Sequence, residues 1–348
     1  MGFDGAFVGD RLHGMLAEVQ PGGVILFARN IESPSQTHRL LYDCQAALAG
    51  PAFLCVDMEG GTVDRLKNVV YPAPSAVEVF GTVDRKLFRT HGRIIGDECR
   101  ALGFNTDFAP VLDLAFAPSQ PVLGSRVVSP DPKQAVLYAR EFLRGLADAR
   151  VIGCGKHFPG LGEANLDTHH ELPSIAKSWR KLGTQDLAPY RALRAKLPFV
   201  MVAHAAYPDV TGDRVPASLS SKWMGDILRK KVGYRGLAIS DDLEMGGVLA
   251  NTSIEEAAVE TLRAGADIYL VCHNEGHVMG TYAAVVKEAE RDAKFATLVE
   301  ARARRVLAYK KKVRGWLKQS SPPTAQKVEQ LRKRLRRFEQ DVHRRLAF

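Results

Sequence analysis

Seven short, nearly continuous apolar runs recur along the chain, and longer segments with apolar residues at helical spacing lie between them. The runs are GGVILFA (22–28), AFLCVDM (52–58), FNTDFAPVLDL (104–114), VIGCGKHF (151–158), FVMVAHAAY (199–207), GLAISDD (236–242) and ADIYLVCH (266–273). Runs apolar at successive positions suit strands covered on both faces. Between them, HRLLYDCQAALA (38–49) and AVLYAREFLRGLADA (135–149) place apolar residues on one helical face. This alternation predicts an α/β fold with a parallel sheet. A closed (β/α)8 barrel of the TIM type needs eight strands. The chain opens at MGFDGAFVGD, with helix-like GDRLHGMLAEV directly after. The expectation is therefore a barrel whose first strand is shortened or missing. A doubly wound open sheet is the alternative, disfavoured because no GxGxxG turn follows the first run.

Residues 296–317 read as the last helix of the barrel, and SSPP (320–323) interrupts the pattern. Beyond it, Val328, Leu331, Leu335, Phe338 and Val342 recur at 3-4-3-4 spacing among Lys and Arg. That is an amphipathic helix. The expected organisation is a catalytic barrel over 1–318 and a basic helical tail over 319–348. The tail is read as docked on the barrel or on a second copy, in preference to a membrane or nucleic acid.

The net charge of +9 belongs to the tail. Residues 301–348 carry 16 Lys/Arg against 3 Asp/Glu, which leaves 32 against 36 in residues 1–300. A mildly acidic body argues against nucleic-acid binding. No apolar run approaches the roughly 20 residues that span a bilayer, and the first ten residues do not read as a signal peptide. The five cysteines are widely spaced with no CxxC pair. They read as reduced residues, with Cys55, Cys154 and Cys272 packing in strands, and suggest a cytoplasmic setting. Cys272-His273 with His277 is the nearest approach to a metal-ligand pattern, but Gly276 intervenes and no further ligand is evident. Neither a metal nor a cofactor is expected.

In such a barrel the chemistry sits at the C-terminal ends of the strands. Those ends hold Asp57 with Glu59 and Arg65 close behind, then Gly124-Ser125-Arg126, Lys156-His157, His204 and Asp241-Asp242. Charged groups at so many strand ends cost desolvation unless they pair or meet a ligand. A few ion pairs would answer that cost, yet this set of carboxylates, cations and histidines on one rim reads as a functional site.

KHFPGLGEANLDTHH (156–170) follows the fourth listed run. Asp167 and His169 lie two apart, so in an extended segment they point the same way. A carboxylate beside an imidazole fixes its tautomer and favours its protonated form, making the pair a candidate acid/base. Alternatively Asp167 caps a turn and His169 is solvated; His170 reads as a bystander and Glu163 as a competing acid. Asp241 and Asp242 are neighbours on a strand, so only one can face the pocket. A carboxylate there could attack an anomeric carbon while a second group protonates the leaving oxygen, as in retaining glycoside hydrolysis.

GGVILFARNI, VDMEGGTVDR, KHFPGLGEANLDTHHELP and GYRGLAISDDLEM together resemble, in family order, glycoside hydrolase family 3 β-N-acetylglucosaminidases of the bacterial cell-wall recycling type. The resemblance covers nearly all of residues 2–317. It implies that Asp241, first aspartate of the SDD block, is the nucleophile. It also implies that His169 of the D-[ST]-H triplet is the acid/base, oriented by Asp167. Lys156, His157, Asp57, Arg65 and Arg126 would bind the sugar. Two departures stand out: Leu161 replaces the histidine of the usual PGHG, and Ser125 precedes Arg126 where Asn or Asp is usual.

The expected activity is removal of terminal β-linked N-acetylglucosamine, with peptidoglycan-derived muropeptides as the implied substrate. The expected partner is that small carbohydrate alone, with no nucleic acid and no membrane span; the tail helix allows self-association. A lost N-terminal extension could have held an export signal. A β-N-acetylglucosaminide phosphorylase using the same residues, a non-catalytic sugar-binding paralogue and a β-glucosidase or xylosidase of the same family are the alternatives.

Overall fold

The computed structural model describes residues 1–164, 172–250 and 252–347. Seven parallel strands form one curled sheet, each pairing with the next in chain order. They are β1 (Gly23–Ile25), β2 (Phe53–Val56), β5 (Thr106–Asp107), β6 (Ile152–Phe158), β7 (Phe199–Val202), β8 (Leu237–Asp242) and β9 (Ile268–Leu270). All seven fall inside the apolar runs. All are shorter than their runs, and in FNTDFAPVLDL the reason is local. Pro110 has no N–H for a ladder, so β5 stops at Asp107 and pairing resumes only as a bridge between Val111 and Lys156. A small antiparallel hairpin, β3 (Met58–Gly60) and β4 (Val63–Asp64), follows β2. Its turn needs positive φ at Gly60 and Gly61, and a Cβ on Gly60 would lie 2.2 Å from the Pro74 carbonyl oxygen.

Residues 1–2 bridge the two end strands of the sheet. The Ile25 N–H donates to the Met1 carbonyl (3.0 Å) and the Gly2 N–H donates to the Val271 carbonyl (2.8 Å). Residues 1–2 thus connect β1 and β9 at one level of the ring. Elsewhere around them lies an apolar cavity of about 760 Å3, walled by Ile25, Phe53, Phe108, Phe199, Ile239 and Leu270 among others.

The period of two along each strand divides the core. Phe53 and Cys55, Ile152 and Cys154, Phe199 and Met201, and Leu237 and Ile239 form one buried cluster inside the sheet. Their neighbours Leu54 and Val56, Val200 and Val202, and Ala238 pack outward with the helical layer. All five cysteines are buried and free.

Helix starts are set by caps. Ser33 accepts the Gln36 N–H ahead of Pro34 in helix Pro34–Ala46, and Asp131 accepts the Lys133 N–H ahead of Pro132 in helix Pro132–Asp148. After the helix Ala293–Lys312 the chain turns away and returns as Ala325–Leu346. This last helix lies against helices Ala76–Gly81 and Arg85–Ala101. Its Val328, Leu331, Leu335, Phe338 and Val342 are all buried, so its apolar face is covered within the chain. Arg334 to Asp97 (2.8 Å) and Tyr71 to Glu339 (2.8 Å) edge the contact. No helix among the described residues is long and apolar enough to cross a membrane.

Candidate active site

The inward parity of the strands continues past the apolar cluster into polar residues. After Phe53 and Cys55 the next inward position is Asp57; after Ile152 and Cys154 it is Lys156; after Leu237 and Ile239 it is Asp241. The charged groups therefore cap the apolar core at the C-terminal ends of the strands.

Lys156 is the hub. Its Nζ lies 2.7 Å from both Asp57 Oδ1 and Glu59 Oε1. Arg126 meets Glu59 through two parallel contacts, Nε to Oε2 at 2.8 Å and Nη2 to Oε1 at 2.9 Å. Lys156 and Glu59 are each only 3% exposed. Burial alone would push the Glu59 carboxyl up, but the Arg126 and Lys156 charges hold it well below the usual carboxylate range. Burial would likewise lower Lys156, yet Asp57 and Glu59 keep it above its ordinary value. Glu59, Lys156 and Arg126 are all charged at neutral pH.

His157 is held from behind. Its Nδ1 lies 2.7 Å from Asp113 Oδ2, and Asp113 also accepts the N–H groups of His157 and Leu161. With Nδ1–H donating to that carboxylate, the ring's orientation is fixed and Nε2 is left for a ligand. Leu161, the residue that departs from the PGHG pattern, packs in the core with Ala164, Ile175 and Tyr207. Asp113 is the penultimate residue of the third apolar run, a position the same strand-end logic would have reached.

Asp241 and Asp242 diverge, as a strand requires. Asp241 sits in the field of His157, His204 and Lys156. Burial opposes its ionisation, but those charges and the Asp242 N–H (2.9 Å to Oδ1) keep its carboxyl below the ordinary value. Asp242 instead points to the end of β9, with Oδ2 3.0 Å from His273 Nδ1. Burial and the nearby Glu244 push its carboxyl up to about 6. His204 is wholly buried between Ser218 Oγ (2.7 Å) and the Asp242 carbonyl (2.9 Å). Burial lowers its pKa, and the ring ties the end of β7 to β8.

Arg65 lies just past β4 and outside the ion-pair cluster, its Cζ 5.9 Å from the Phe27 ring centroid. Asp167 and His169 lie outside the described residues. Glu163, the competing acid, is engaged by Lys177 at 3.1 Å.

Asp242, Glu244 and His273 place one donor atom each within 4.8 Å of one another, the nearest the described residues come to a metal site. Glu244 already accepts the backbone N–H groups of Cys272, His273 and Asn274, knitting the turn after β9. That gives the carboxylate a structural role, and the group requires no ion to explain it.

Comparison with known proteins agrees with this geometry. Residues 8–309 match the family described as glycosyl hydrolase family 3 N terminal domain. A beta-hexosaminidase of Bordetella avium is 40% identical over 260 residues, 72% of this chain and 73% of that one. One of Pseudomonas aeruginosa is 37% identical over 263 residues, covering 75% and 77%. The solved glycoside hydrolase family 3 beta-N-acetylglucosaminidase of a Paenibacillus strain superposes with a TM-score of 0.91 at 31% identity, over 98% of this chain and 66% of that one. A family match over most of the chain, on a curled parallel sheet whose strand ends converge in one charged rim, leads to one conclusion: the chain belongs to glycosyl hydrolase family 3 and is a glycosyl hydrolase.

Proposed function

We propose that the chain removes terminal β-linked N-acetylglucosamine by double displacement, with Asp241 as nucleophile and His169, oriented by Asp167, as acid/base. In the first step protonated His169 gives its proton to the glycosidic oxygen as that oxygen leaves the anomeric carbon. The Asp241 carboxylate forms the new bond to carbon, and the aglycone departs as an alcohol. In the second step neutral His169 takes a proton from water, whose oxygen bonds the anomeric carbon as the ester to Asp241 breaks. The configuration is retained.

One observation carries the reading. Asp241 is the inward-facing carboxylate of the SDD pair and is kept ionised beside Lys156 and His157. A nucleophile must be charged, and a sugar-binding pocket must supply donors and acceptors around it. In the proposed complex Asp57, Lys156, His157, Arg126 and Arg65 hold the hydroxyls and the acetamido group. Proton and electron-pair movements close among Asp241, His169, sugar and water, so the scheme asks for no metal or cofactor. The relatives named as beta-hexosaminidases and beta-N-acetylglucosaminidase support the choice of sugar. Muropeptides from peptidoglycan as substrate, a cytoplasmic site of action and a division into barrel (1–318) and tail (319–348) belong to the same reading.

The test is release of p-nitrophenol from its β-N-acetylglucosaminide and β-glucoside in phosphate-free buffer. Turnover of the first alone supports the reading. A strict requirement for phosphate, with a sugar phosphate as product, would replace hydrolysis by phosphorolysis. Preference for the glucoside would overturn the substrate assignment.

A further inference from the structure

Beside the nucleophile's rim, outside the Lys156 cluster, lies a second buried lysine. Lys177 is 2% exposed. Its Nζ lies 2.7 Å from Asp186 Oδ2 and 3.1 Å from Glu163 Oε1, and 4.4 Å from the centroid of the Phe116 ring. Burying an ammonium costs several kcal/mol after relaxation, so three favourable neighbours converging on one ammonium call for an explanation. The mechanism above does not use it.

The sequence positions supply one. Glu163 stands just before Asp167 and His169, and Lys177 stands after them. The approach on the N-terminal side is fixed. Asp113 takes the Leu161 N–H (2.7 Å), and the Tyr207 hydroxyl donates to the Gly160 carbonyl (2.8 Å). Gly160 lets the chain run close to Asp186: a Cβ there would lie 2.7 Å from the Asp186 Cβ. The exit is fixed too. The Ile175 N–H donates to the Ala206 carbonyl (2.8 Å) and the Ala206 N–H to the Pro173 carbonyl (2.9 Å), bridging Ser174 to the segment after β7. Asp186, immediately before helix Leu187–Leu193, belongs to the helical layer. One ammonium therefore joins the residue before the segment, the residue after it and the barrel wall.

We propose that Lys177 is a positioning residue for the acid/base: its contacts with Glu163 and Asp186 fix the separation of the two chain ends that carry Asp167 and His169. The inference rests on the assignment of those two residues given above. It makes Lys177 a determinant of proton delivery to the leaving group, with no part in holding the sugar.

The test uses the full chain with Lys177→Met, Lys177→Arg and Glu163→Gln, on two substrates. One is p-nitrophenyl β-N-acetylglucosaminide, whose leaving group needs little protonation. The other is N,N'-diacetylchitobiose, whose alkoxide must be protonated. A misplacement of about 1 Å can cost on the order of 10²-fold. Lys177→Met should lower kcat/KM on the disaccharide by about that factor and on the aryl glycoside by roughly tenfold or less. Inhibition by free N-acetylglucosamine should hold, and Lys177→Arg should recover most of the loss. Glu163→Gln, which leaves the Lys177–Asp186 pair intact, should give a smaller loss of the same selectivity, and decides the matter if Lys177→Met does not fold. Equal losses on both substrates, or weakened inhibition by N-acetylglucosamine, would overturn the proposal. His169→Ala separates the two assignments. If it shows the leaving-group selectivity and the Lys177 and Glu163 variants do not, the positioning role alone fails. If it shows none, the acid/base assignment fails and takes the positioning role with it.

Discussion

Asp113 holds the ring of His157 through Nδ1 at 2.7 Å and the N–H of Leu161 at 2.7 Å with the same carboxylate. One buried acid therefore sets both the ring orientation of a proposed sugar ligand and the course of the chain leaving β6. Asp113→Asn preserves the shape but not the charge or the acceptor pair. The amide must turn an N–H2 toward at least one of the N–H groups that the carboxylate now accepts. The expected result is a loss of kcat/KM on p-nitrophenyl β-N-acetylglucosaminide on the order of 10²-fold, with weaker inhibition by free N-acetylglucosamine. Initial rates across substrate and inhibitor concentrations would check it.

The Glu59–Arg126 pair predicts a stability effect. Removing one partner of a buried ion pair leaves an uncompensated charge and costs about 3–5 kcal/mol. Lys156 also touches Glu59, so Arg126→Met should fall at the lower end, near 3 kcal/mol. Urea unfolding followed by far-UV circular dichroism gives the difference. Arg126→Lys should recover only part, because an ammonium cannot reproduce the two parallel contacts.

The same carboxylate gives the pH dependence a sign. The folded Glu59 pKa lies below its unfolded value of about 4.3, so the unfolded chain binds the extra proton. Its contribution to stability is fully present above that unfolded value and is lost as pH falls below it toward the folded value. Glu59→Gln should flatten the decline of stability below about pH 4.3 relative to the unsubstituted chain. Thermal unfolding at a series of acid pH values would show this; an unchanged slope would contradict it.

Much of this fold and site follows from a period of two. Alternation in AFLCVDM, VIGCGKHF and GLAISDD puts Asp57, Lys156 and Asp241 on one rim, and the structure places them there. Adjacency on a strand allowed only one of Asp241 and Asp242 to face the pocket; the resemblance named Asp241, and the inward Leu237 and Ile239 share its parity. What the sequence left open depends on contacts between distant segments. Asp113 reaches His157, Glu59 reaches Arg126 and Lys156, and Lys177 reaches Glu163 and Asp186, none of them at a local spacing. The hairpin β3–β4 was hidden because Glu59-Gly60-Gly61 reads as a simple loop. The seven apolar runs, one fewer than a closed (β/α)8 barrel needs, became the seven strands of the parallel sheet.

The tail helix makes its own prediction. Leu335 is fully buried against the barrel's outer helices, near the stacked pair of His91 and Phe338 rings, 5.8 Å apart. Truncation of a buried leucine to alanine costs about 2–5 kcal/mol. Leu335→Ala should lower the unfolding free energy by that amount while leaving kcat on the aryl glycoside unchanged at 25 °C.

The environment of the proposed nucleophile predicts the acid limb of activity. Asp241 must be ionised to attack, and His157 is the largest of the influences that lower its pKa, opposing burial. The acid limb of kcat/KM reports the free enzyme's essential base. In the unsubstituted chain it should lie below the ordinary aspartate value of about 3.9. Replacing His157 by glutamine removes that influence and leaves burial acting against a smaller opposing field, so the Asp241 pKa rises. The acid limb of His157→Gln should then move to higher pH, and activity should be lost earlier as the solution is acidified. Short assays begun by dilution from neutral pH separate this shift from acid unfolding. A limb that does not move would mean that the negative charge of Asp241 is held by other groups, with Lys156 and His204 the first to substitute.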